Sequence, residues 1–280
     1  MAVSSKTSAR LGDIGAYAIL IVTCILFVIP IFWIFSTSFK STPEILTTPM
    51  TMLPRFPTLE HYAAAFAGNF RRFMINSLIA ATGSTLIGLL LSVPAAFGFA
   101  KFPYPGSGAM LSFTIVTRVF PPIALALPFF LQFGVLHLTD NPFGLVIAYL
   151  PIVLPLMIWM LHGFFVDFPS EFLDAARIDG LGLGQTILRI VIPLSWPGIG
   201  VATLFGFLVA WNEFILALTL TRTPAGQTMP VGISTLITQF QVQWGDMMAV
   251  AAVYLLPVFV VTVITQRGLV RGLMTGATTG

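Results

Sequence analysis

Long runs without a charged residue dominate this chain. Seven predominantly apolar runs carry no Asp, Glu, Lys or Arg, and together they hold 160 of the 280 residues. These runs are residues 14–39, 73–100, 102–117, 119–139, 141–166, 190–212 and 247–266. A soluble domain carries about 25% charged residues, whereas this chain carries 8%, with 57% hydrophobic residues and a mean hydropathy of +0.96. The chain is therefore predicted to be a membrane protein.

The lengths of the apolar runs predict six membrane-spanning helices in an all-α fold. A hydrocarbon core about 30 Å thick requires about 20 residues of helix. We expect spans near residues 14–36, 73–99, 109–136, 143–165, 190–220 and 247–266, within a single transmembrane domain over residues 1–280. The first run is longer than the apolar region of a signal peptide, about 7–15 residues, so we keep it as a span. Arg118 interrupts the third run, but neither half spans alone, and we expect one helix.

An even number of spans places both termini on the same side of the membrane. The predicted loops are residues 166–189 on that side and residues 37–72 and 221–246 on the other, the last being too polar to span. Basic residues favour a cytoplasmic location for the termini by seven to five. Arg71 and Arg72 lie next to a span on the outer side and count against this orientation.

Two predicted helices carry small residues at every fourth position, which places those residues on one face. In lipid, helices associate through close packing of such residues rather than through a hydrophobic driving force. These faces are predicted to pack against other helices. They comprise Asn76, Ala80, Ser84, Gly88, Ser92 and Ala96 in the second span, and Gly198, Ala202, Gly206 and Ala210 in the fifth.

The sequence lacks the residues that several kinds of catalytic and binding site require. No Gly-Lys pair occurs, so the chain has no Walker-type phosphate loop, and G-x-S-x-G and H-E-x-x-H are also absent. The single Cys24 excludes a disulfide framework. No basic cluster exceeds Arg71-Arg72, which argues against nucleic-acid binding. The chain is predicted not to be an enzyme, and to hold neither a metal nor a cofactor.

The loop after the fourth span contains the most informative segment. Pro169 and Ser170 are typical of a helix start, and Glu171 and Asp174 lie in the first turn, where the helix dipole favours carboxylates. Gly180 is the expected stop. The resulting helix of about nine residues is too short to be stable alone. With Phe172, Ala175 and Ala176 on one side, its small Ala-Ala face is predicted to dock another protein.

This segment resembles the EAA loop of ABC importer permeases. Asp174-Ala175-Ala176 is followed by three residues, then Gly180, then nine residues, then Ile190-Val191-Ile192-Pro193. The family pattern is E-A-A, three residues, G, nine residues, I-x-L-P, so the spacing agrees throughout. Asp174 and Ile192 are the departures, and Asp174 keeps the negative charge.

Further segments are similar to the carbohydrate-uptake branch of that family, the second permease of the maltose-transporter type. They are Tyr62 with Phe66, Asn76-Ser77-Leu78, Phe102-Pro103 with Gly106, Pro121-Pro122, Trp211-Asn212-Glu213 and the tail from Gly272-Leu273 to Gly280. The resemblance implies an inner-membrane permease that moves a sugar or glycoside. It also implies four kinds of neighbour: a homologous second permease, two ATPase subunits, an extracytoplasmic binding protein and membrane lipid.

The resemblance implies roles for two sets of residues. The helix near 170–180 would couple the permease to the ATPase, which binds the ATP and Mg²⁺, and both termini would be cytoplasmic. The coupling residues would be Glu171, Phe172, Asp174, Ala175, Ala176, Arg177, Asp179 and Gly180. Loop 221–246 matches in position a loop that reaches toward the binding protein.

Sugar sites combine aromatic rings with a few polar groups, which makes six residues candidates for the substrate path. They are Phe120, Gln132, Trp159, Trp211, Asn212 and Glu213. Ordinary bundle packing is the alternative for the aromatic residues. For Trp211 to Glu213 the alternative is an interfacial Trp anchor beside a solvated carboxylate. For Arg118 the alternative to a functional role is an arginine that fixes the depth of its helix in the membrane.

A self-sufficient secondary carrier is the main alternative function. Such carriers are commonly built from inverted repeats with broken helices at matching positions. No convincing repeat relates residues 14–136 to residues 143–266, so the ABC importer is preferred.

Overall fold

The computed structural model describes residues 3–238 and 242–277, and the side chains of residue 13 and of residues 15–238 and 242–266. Residues 239–241 of the predicted outer loop and residues 278–280 of the tail lie outside the described residues. Fourteen α-helices account for most of the described residues. They are α1 (Val3–Ser38), α2 (Thr42–Ile45), α3 (Glu60–Ala67), α4 (Phe70–Lys101), α5 (Ser107–Val116), α6 (Pro122–Val135), α7 (Pro142–Val166), α8 (Glu171–Ile178), α9 (Leu183–Thr186), α10 (Ile192–Leu194), α11 (Trp196–Trp211), α12 (Ile215–Leu220), α13 (Met229–Ser234) and α14 (Trp244–Ala277).

Four of these helices, α1, α4, α7 and α14, are long and apolar enough to cross a membrane. Two bent pairs pass the same test, residues 107–119 with 122–135 and residues 183–194 with 196–211, which gives up to six spans. The prediction of an all-α membrane protein is confirmed, and the six predicted spans correspond to these four helices and two pairs.

The third predicted span is not one helix, and that part of the prediction is wrong. Helix α5 ends at Val116, a 3₁₀ turn that includes Arg118 follows, and the two arms are bent by 90°. Phe120 and Pro121 are extended, with ψ of 123° and 137°. A proline pushes the preceding residue out of the helical region, so consecutive prolines at 121 and 122 terminate the first arm.

The fifth predicted span is also broken. Its arms meet at Ser195 with a bend of 84°, and a π-helical stretch over Ile187–Val191 precedes Pro193. Pro193 and Pro197 explain this bend, since proline cannot donate the backbone hydrogen bond of a helix interior. Helix α11 ends at Trp211, and the separate α12 follows, so residues 190–220 are not continuous.

The chain divides into two compact units. The larger comprises residues 69–235 and the part of α14 from residue 254, and the smaller comprises the chain up to residue 68 with residues 236–253. In the larger unit α4, α7 and α11 pack on one another. Both predicted small-residue faces are buried there, which confirms them as packing faces.

Met157 of α7 shows how closely these helices approach. A Cβ atom added at Gly88 would lie 2.9 Å from the Met157 sulfur, and one added at Gly206 would lie 2.8 Å from the same atom. A Cβ at Gly198 would meet the Phe164 ring at 2.5 Å. Only glycine fits at these crossings, because a larger residue overlaps the opposing side chain.

The smaller unit is held together at the C-terminal end of α1. Ser38 is fully buried and its hydroxyl lies 2.8 Å from the Tyr62 hydroxyl of α3. The Tyr62 ring also contacts Phe39, with ring centroids 5.3 Å apart. Residues 15–30 of α1, in contrast, are all exposed.

Candidate functional site

Helix α8, the predicted docking element, is attached to the larger unit at both ends. At its N-terminal side, the Lys101 ammonium at the end of α4 donates to the carbonyls of Val166 and Phe168, at 3.0 and 2.7 Å. A cation at carbonyls left free by the end of α7 is favourable. Lys101 therefore fixes the chain where it leaves α7 and enters α8.

The end of α8 is set by Gly180, as the sequence predicted. Gly180 has φ of +74°, in the left-handed region that favours glycine. The Leu181 amide donates to the Ala176 carbonyl at 2.9 Å and the Gly180 amide donates to that of Arg177 at 3.1 Å. This pair of bonds is the Schellman arrangement, and it turns the chain sharply toward α9.

The two faces of α8 are not the ones predicted. Ala176 is fully buried and Leu173 packs on the core of the larger unit, so this side of the helix is occupied by the chain itself. The expectation that Ala176 faces a partner is therefore wrong. The residues of the opposite side are exposed, and we call them the coupling face: Glu171, Asp174, Ala175 and Ile178.

Ile178 is the coupling-face residue that sequence reasoning missed. Its side chain is 87% exposed, although it is the most apolar residue on that face. The signal was available in the helical period, because positions 171, 174, 175 and 178 share one side of a helix while 173 and 176 share another. Ala175 and Ala176 do not form one surface, because adjacent residues in a helix point about 100° apart.

A cavity of 240 Å³ lies behind α8 in the larger unit. Leu173 and Arg177 line it from α8, and Phe97 and Phe102 line it from the end of α4. Phe97 also contacts Phe165 edge to face, with ring centroids 5.6 Å apart. Leu173 and Arg177 of α8 thus face Phe97 and Phe102 across this cavity, close to the joint of α4 and α7.

The six path candidates separate into two groups. Phe120, Gln132, Trp159 and Asn212 have exposed side chains on the larger unit. Trp211 and Glu213 are enclosed, with Trp211 only 1% exposed. In this conformation a solute reaches the second group only after a rearrangement.

Trp211 and Glu213 have structural partners instead. The Trp211 ring is stacked between Phe207 and Tyr254, at centroid distances of 5.3 and 4.8 Å. The Glu213 carboxylate accepts the amides of Leu216 and Ala217 at 3.0 and 3.1 Å, which caps α12. Neither an interfacial Trp anchor nor a solvated carboxylate describes this pair.

The segment that follows α12, residues 221–235, is held within the larger unit by residues near the starts of α4 and α7. Asn76 donates to the carbonyls of Ala225 and Gln227, both at 2.9 Å, and the Ser77 hydroxyl accepts the Met229 amide at 2.8 Å. These contacts explain physically why an Asn-Ser pair stands at this position: both groups are buried and need partners.

Asp140 is a second anchor of this segment, and no motif around it in the sequence indicates this role. Its carboxylate accepts the amides of Arg222 and Thr223 and the Thr223 hydroxyl, at 3.0, 2.9 and 2.5 Å. Burial of the Asp140 carboxyl acts to raise its pKa, but these hydrogen bonds outweigh it and the pKa lies below the usual value. Gly226 packs on the Asp140 backbone, where an added Cβ would lie 2.5 Å from the carbonyl carbon.

Residues 88–275 match the family model described as binding-protein-dependent transport system inner membrane component. The trehalose transport system permease protein SugB of Mycobacterium tuberculosis is 34% identical over 255 residues, which cover 90% of this chain and 92% of that protein. The sulfoquinovosyl glycerol transport system permease protein SmoH of Agrobacterium fabrum is 34% identical over 252 residues, covering 90% and 88%. The inner membrane ABC transporter permease protein YcjP of Escherichia coli is 30% identical over the full length of both chains.

The fold also matches a solved structure. A chain of a bacterial ABC transporter involved in the import of the acidic polysaccharide alginate superposes with a TM-score of 0.77, covering 93% of this chain and 97% of that one. The two sequences are 23% identical, so this likeness concerns the fold.

Proposed function

Because this chain belongs to the family of binding-protein-dependent transport system inner membrane components, we propose that it is the permease subunit through which an ATP-driven importer moves a sugar or a glycoside. The chain is a multi-pass component of the inner membrane. Two relatives named above for trehalose and for sulfoquinovosyl glycerol support the substrate class, since the first is a sugar and the second a glycoside. A secondary carrier is the weaker alternative, because the family depends on a binding protein.

The proposed assembly contains one copy of this chain, one homologous second permease, two copies of an ATPase and an extracytoplasmic binding protein. ATP and Mg²⁺ are assigned to the ATPase. Both termini and α8 then lie on the cytoplasmic side, while residues 37–72 and 221–246 lie outside.

The observation that carries the proposal is the coupling face of α8. Its carboxylates, Glu171 and Asp174, stand beside an exposed apolar side chain, Ile178. An apolar anchor flanked by charges is how a short helix fits into a groove of another protein. The Asp174–Arg177 ion pair, at 3.2 Å, is exposed and contributes little to folding, so its charges remain available for a partner.

The proposed mechanism uses α8 as a lever. ATP binding closes the ATPase dimer and displaces α8, and α8 presses on Phe97 and Phe102 at the joint of α4 and α7. The bundle then opens toward the outside, and the loaded binding protein favours the same state. Each ligand shifts one two-state equilibrium, in proportion to its difference in affinity for the two states.

The exposed path candidates, Phe120, Gln132, Trp159 and Asn212, are proposed to face the solute. The break between α5 and α6 leaves the Phe120 ring 64% exposed at a position where the backbone is extended. Trp211 and Glu213 join this surface only if the outward-open state exposes them.

The test is a double charge reversal, Glu171→Lys with Asp174→Lys, in the complete transporter in nanodiscs. We expect solute uptake and the stimulation of ATPase activity by binding protein to fall by at least about tenfold, as loss of complementary charges at an interface predicts. The side chains make no contact that holds the chain's own fold, so the yield of folded permease should stay normal.

Asp167→Lys is the matched control. It introduces a reversed charge into the same loop, but Asp167 lies before α8 and outside the coupling face. Ile178→Ala should reproduce part of the uncoupling without changing charge. Normal uptake in the double variant would refute the coupling role of α8.

A further inference from the structure

The smaller unit contains a cavity that neither α8 nor the path candidates explain. Its volume is 590 Å³, and it lies between α3, the segment after α1 and the start of α14. The side chains that give it its chemistry are Leu46, Glu60, His61, Ala64, Trp244 and Asp246.

A buried histidine stands in the wall of this cavity. His61 is 6% exposed, and its Nδ1 lies 2.7 Å from the Asp246 carboxylate. Its Nε2 is buried, has no hydrogen-bond partner among the described residues and lies 3.5 Å from the Glu60 carboxylate oxygen Oε1, at the same cavity. The close approach of α14 depends on Gly245, because a Cβ there would lie 2.1 Å from the imidazole. A buried polar atom without a partner is rare in a finished structure.

The cavity is acidic, because Glu60 and Asp246 line it and no lysine or arginine does so among the described residues. Glu60 uses Oε1 to accept the Thr42 amide at 3.2 Å, which leaves Oε2 without a partner among the described residues. Lys40 of the same unit is engaged elsewhere: its ammonium donates to the Thr51 carbonyl at 2.5 Å and lies 4.5 Å from the Trp33 ring centroid. Burial lowers the pKa of Lys40, an effect partly offset by Glu44.

The remaining walls are apolar and aromatic. Leu46, Ala64 and the half-exposed Trp244 ring face the same space as the two carboxylates. A cationic side chain with an apolar stem suits this combination, since its methylene groups cover apolar surface and its head pairs with carboxylates or lies over an aromatic ring. A bare metal ion suits it less, because no group of three or more His, Cys, Asp or Glu is placed to hold one in the part of the chain that the structure describes.

We propose that this cavity receives a lysine or arginine side chain of the docked extracytoplasmic binding protein. The inference rests on the proposed function, which places the smaller unit's loops outside the membrane and supplies a binding protein as the partner there. Glu60 is the charge that pairs with the incoming side chain. Asp246 holds His61 in place, and Trp244 with Leu46 encloses the stem.

The test measures ATPase activity of the complete transporter in nanodiscs against the concentration of its co-purifying binding protein. Glu60→Gln should raise the half-maximal concentration about tenfold, and Glu60→Lys should raise it further, because a charge pair at an interface is lost and then reversed. Glu44→Gln is the matched control. Glu44 belongs to the same unit but does not line the cavity, and a glutamine oxygen can still accept the bonds of Arg55 and Thr51.

A photo-crosslinking residue at Leu46 then locates the partner side chain. The expected product joins this chain to a binding-protein peptide that contains a lysine or arginine. Changing that residue to glutamate should restore the response of the Glu60→Lys variant.

Equal responses of Glu60→Gln and Glu44→Gln, or a cross-link to another chain, would overturn the proposal. An absence of any response to binding protein in the unmodified transporter would instead refute the proposed function, so the two failures are distinguishable.

Discussion

Helices α1 and α4 are both long, apolar and able to cross a membrane, yet they relate to the rest of the chain in opposite ways. Residues 15–30 of α1 are all exposed, whereas α4 buries one whole face against α7 and α11. The difference is the small residue at every fourth position of α4 from Asn76 to Ala96, whereas no such series runs through residues 17–35 of α1. Hydropathy decides that a helix enters the membrane, and side-chain size decides whether it packs on its neighbours there.

The exposed face of α1 has a physical consequence. Its residues are free to contact lipid or another subunit, while its last turn, with Ser36 and Ser38, is buried in the smaller unit. Among the described side chains of α1, those that pack within the smaller unit lie at its C-terminal end. In α4 the small buried residues that pack on neighbouring helices run from Asn76 to Ala96, which is most of the helix.

The largest effect is expected from a bulky side chain at a point where two helices cross, because only the packed helices have such points. Gly206→Leu should destabilise the folded chain by about 3 kcal/mol, because a side chain must overlap Met157 and the core is overpacked. Gly15→Leu in α1 is the matched control, since nothing lies within 4 Å of its Cβ position. Thermal unfolding of the detergent-solubilised chain measures both, and equal melting temperatures for the two variants would contradict the packing argument.

A smaller effect is expected at Asn76, near the start of α4, which holds the segment that follows α12, residues 221–235. Asn76→Ala removes two hydrogen bonds to buried carbonyls and should cost about 1–3 kcal/mol. Hydrogen exchange should then speed up over residues 221–235. Asn69→Ala is the control, because Asn69 is exposed and its side chain does not cap α4. Unchanged exchange in the Asn76 variant would show that Asp140 and Ser77 suffice as anchors.

The smallest expected effect is a pH dependence at Asp140. Its pKa is lowered in the folded chain, so its contribution is present above the usual pKa of an aspartate and is lost as the pH falls through the lower folded value. Asp140→Asn keeps an acceptor oxygen and suits the positive φ of 57°. The stability difference between wild type and variant should shrink between pH 7 and pH 3, and a difference that grows in acid would contradict the assignment.

Much of the architecture was predictable because it depends on local rules. The uncharged runs located the spans, the period of four located the packing faces, and Gly180 located the end of α8. Prolines 121, 122, 193 and 197 are expected to bend the third and fifth spans, and both are bent, although the length argument predicted one helix for the third.

The candidate site was less predictable, because burial depends on residues far apart in the chain. The pattern at 174–180 located α8 but not its orientation, which the packing of Leu173 and Ala176 on the core decides. Trp211 and Glu213 were expected at a solvent-filled path and are enclosed by Phe207, Tyr254 and α12. Asp140 is an unremarkable loop aspartate until the fold brings Thr223 to it.

The sequence by itself determined what kind of protein this is: an all-α membrane chain with two packing faces and a short helix, α8, between spans. These features follow from hydropathy, helical period and backbone stereochemistry, which act over a few residues. Only the tertiary structure decided that Ile178 faces outward, that residues 15–30 of α1 are exposed, and that Glu60, His61 and Asp246 share one cavity. The reason is physical, since exposure and charge pairing belong to surfaces, and a surface exists only once distant segments have packed together.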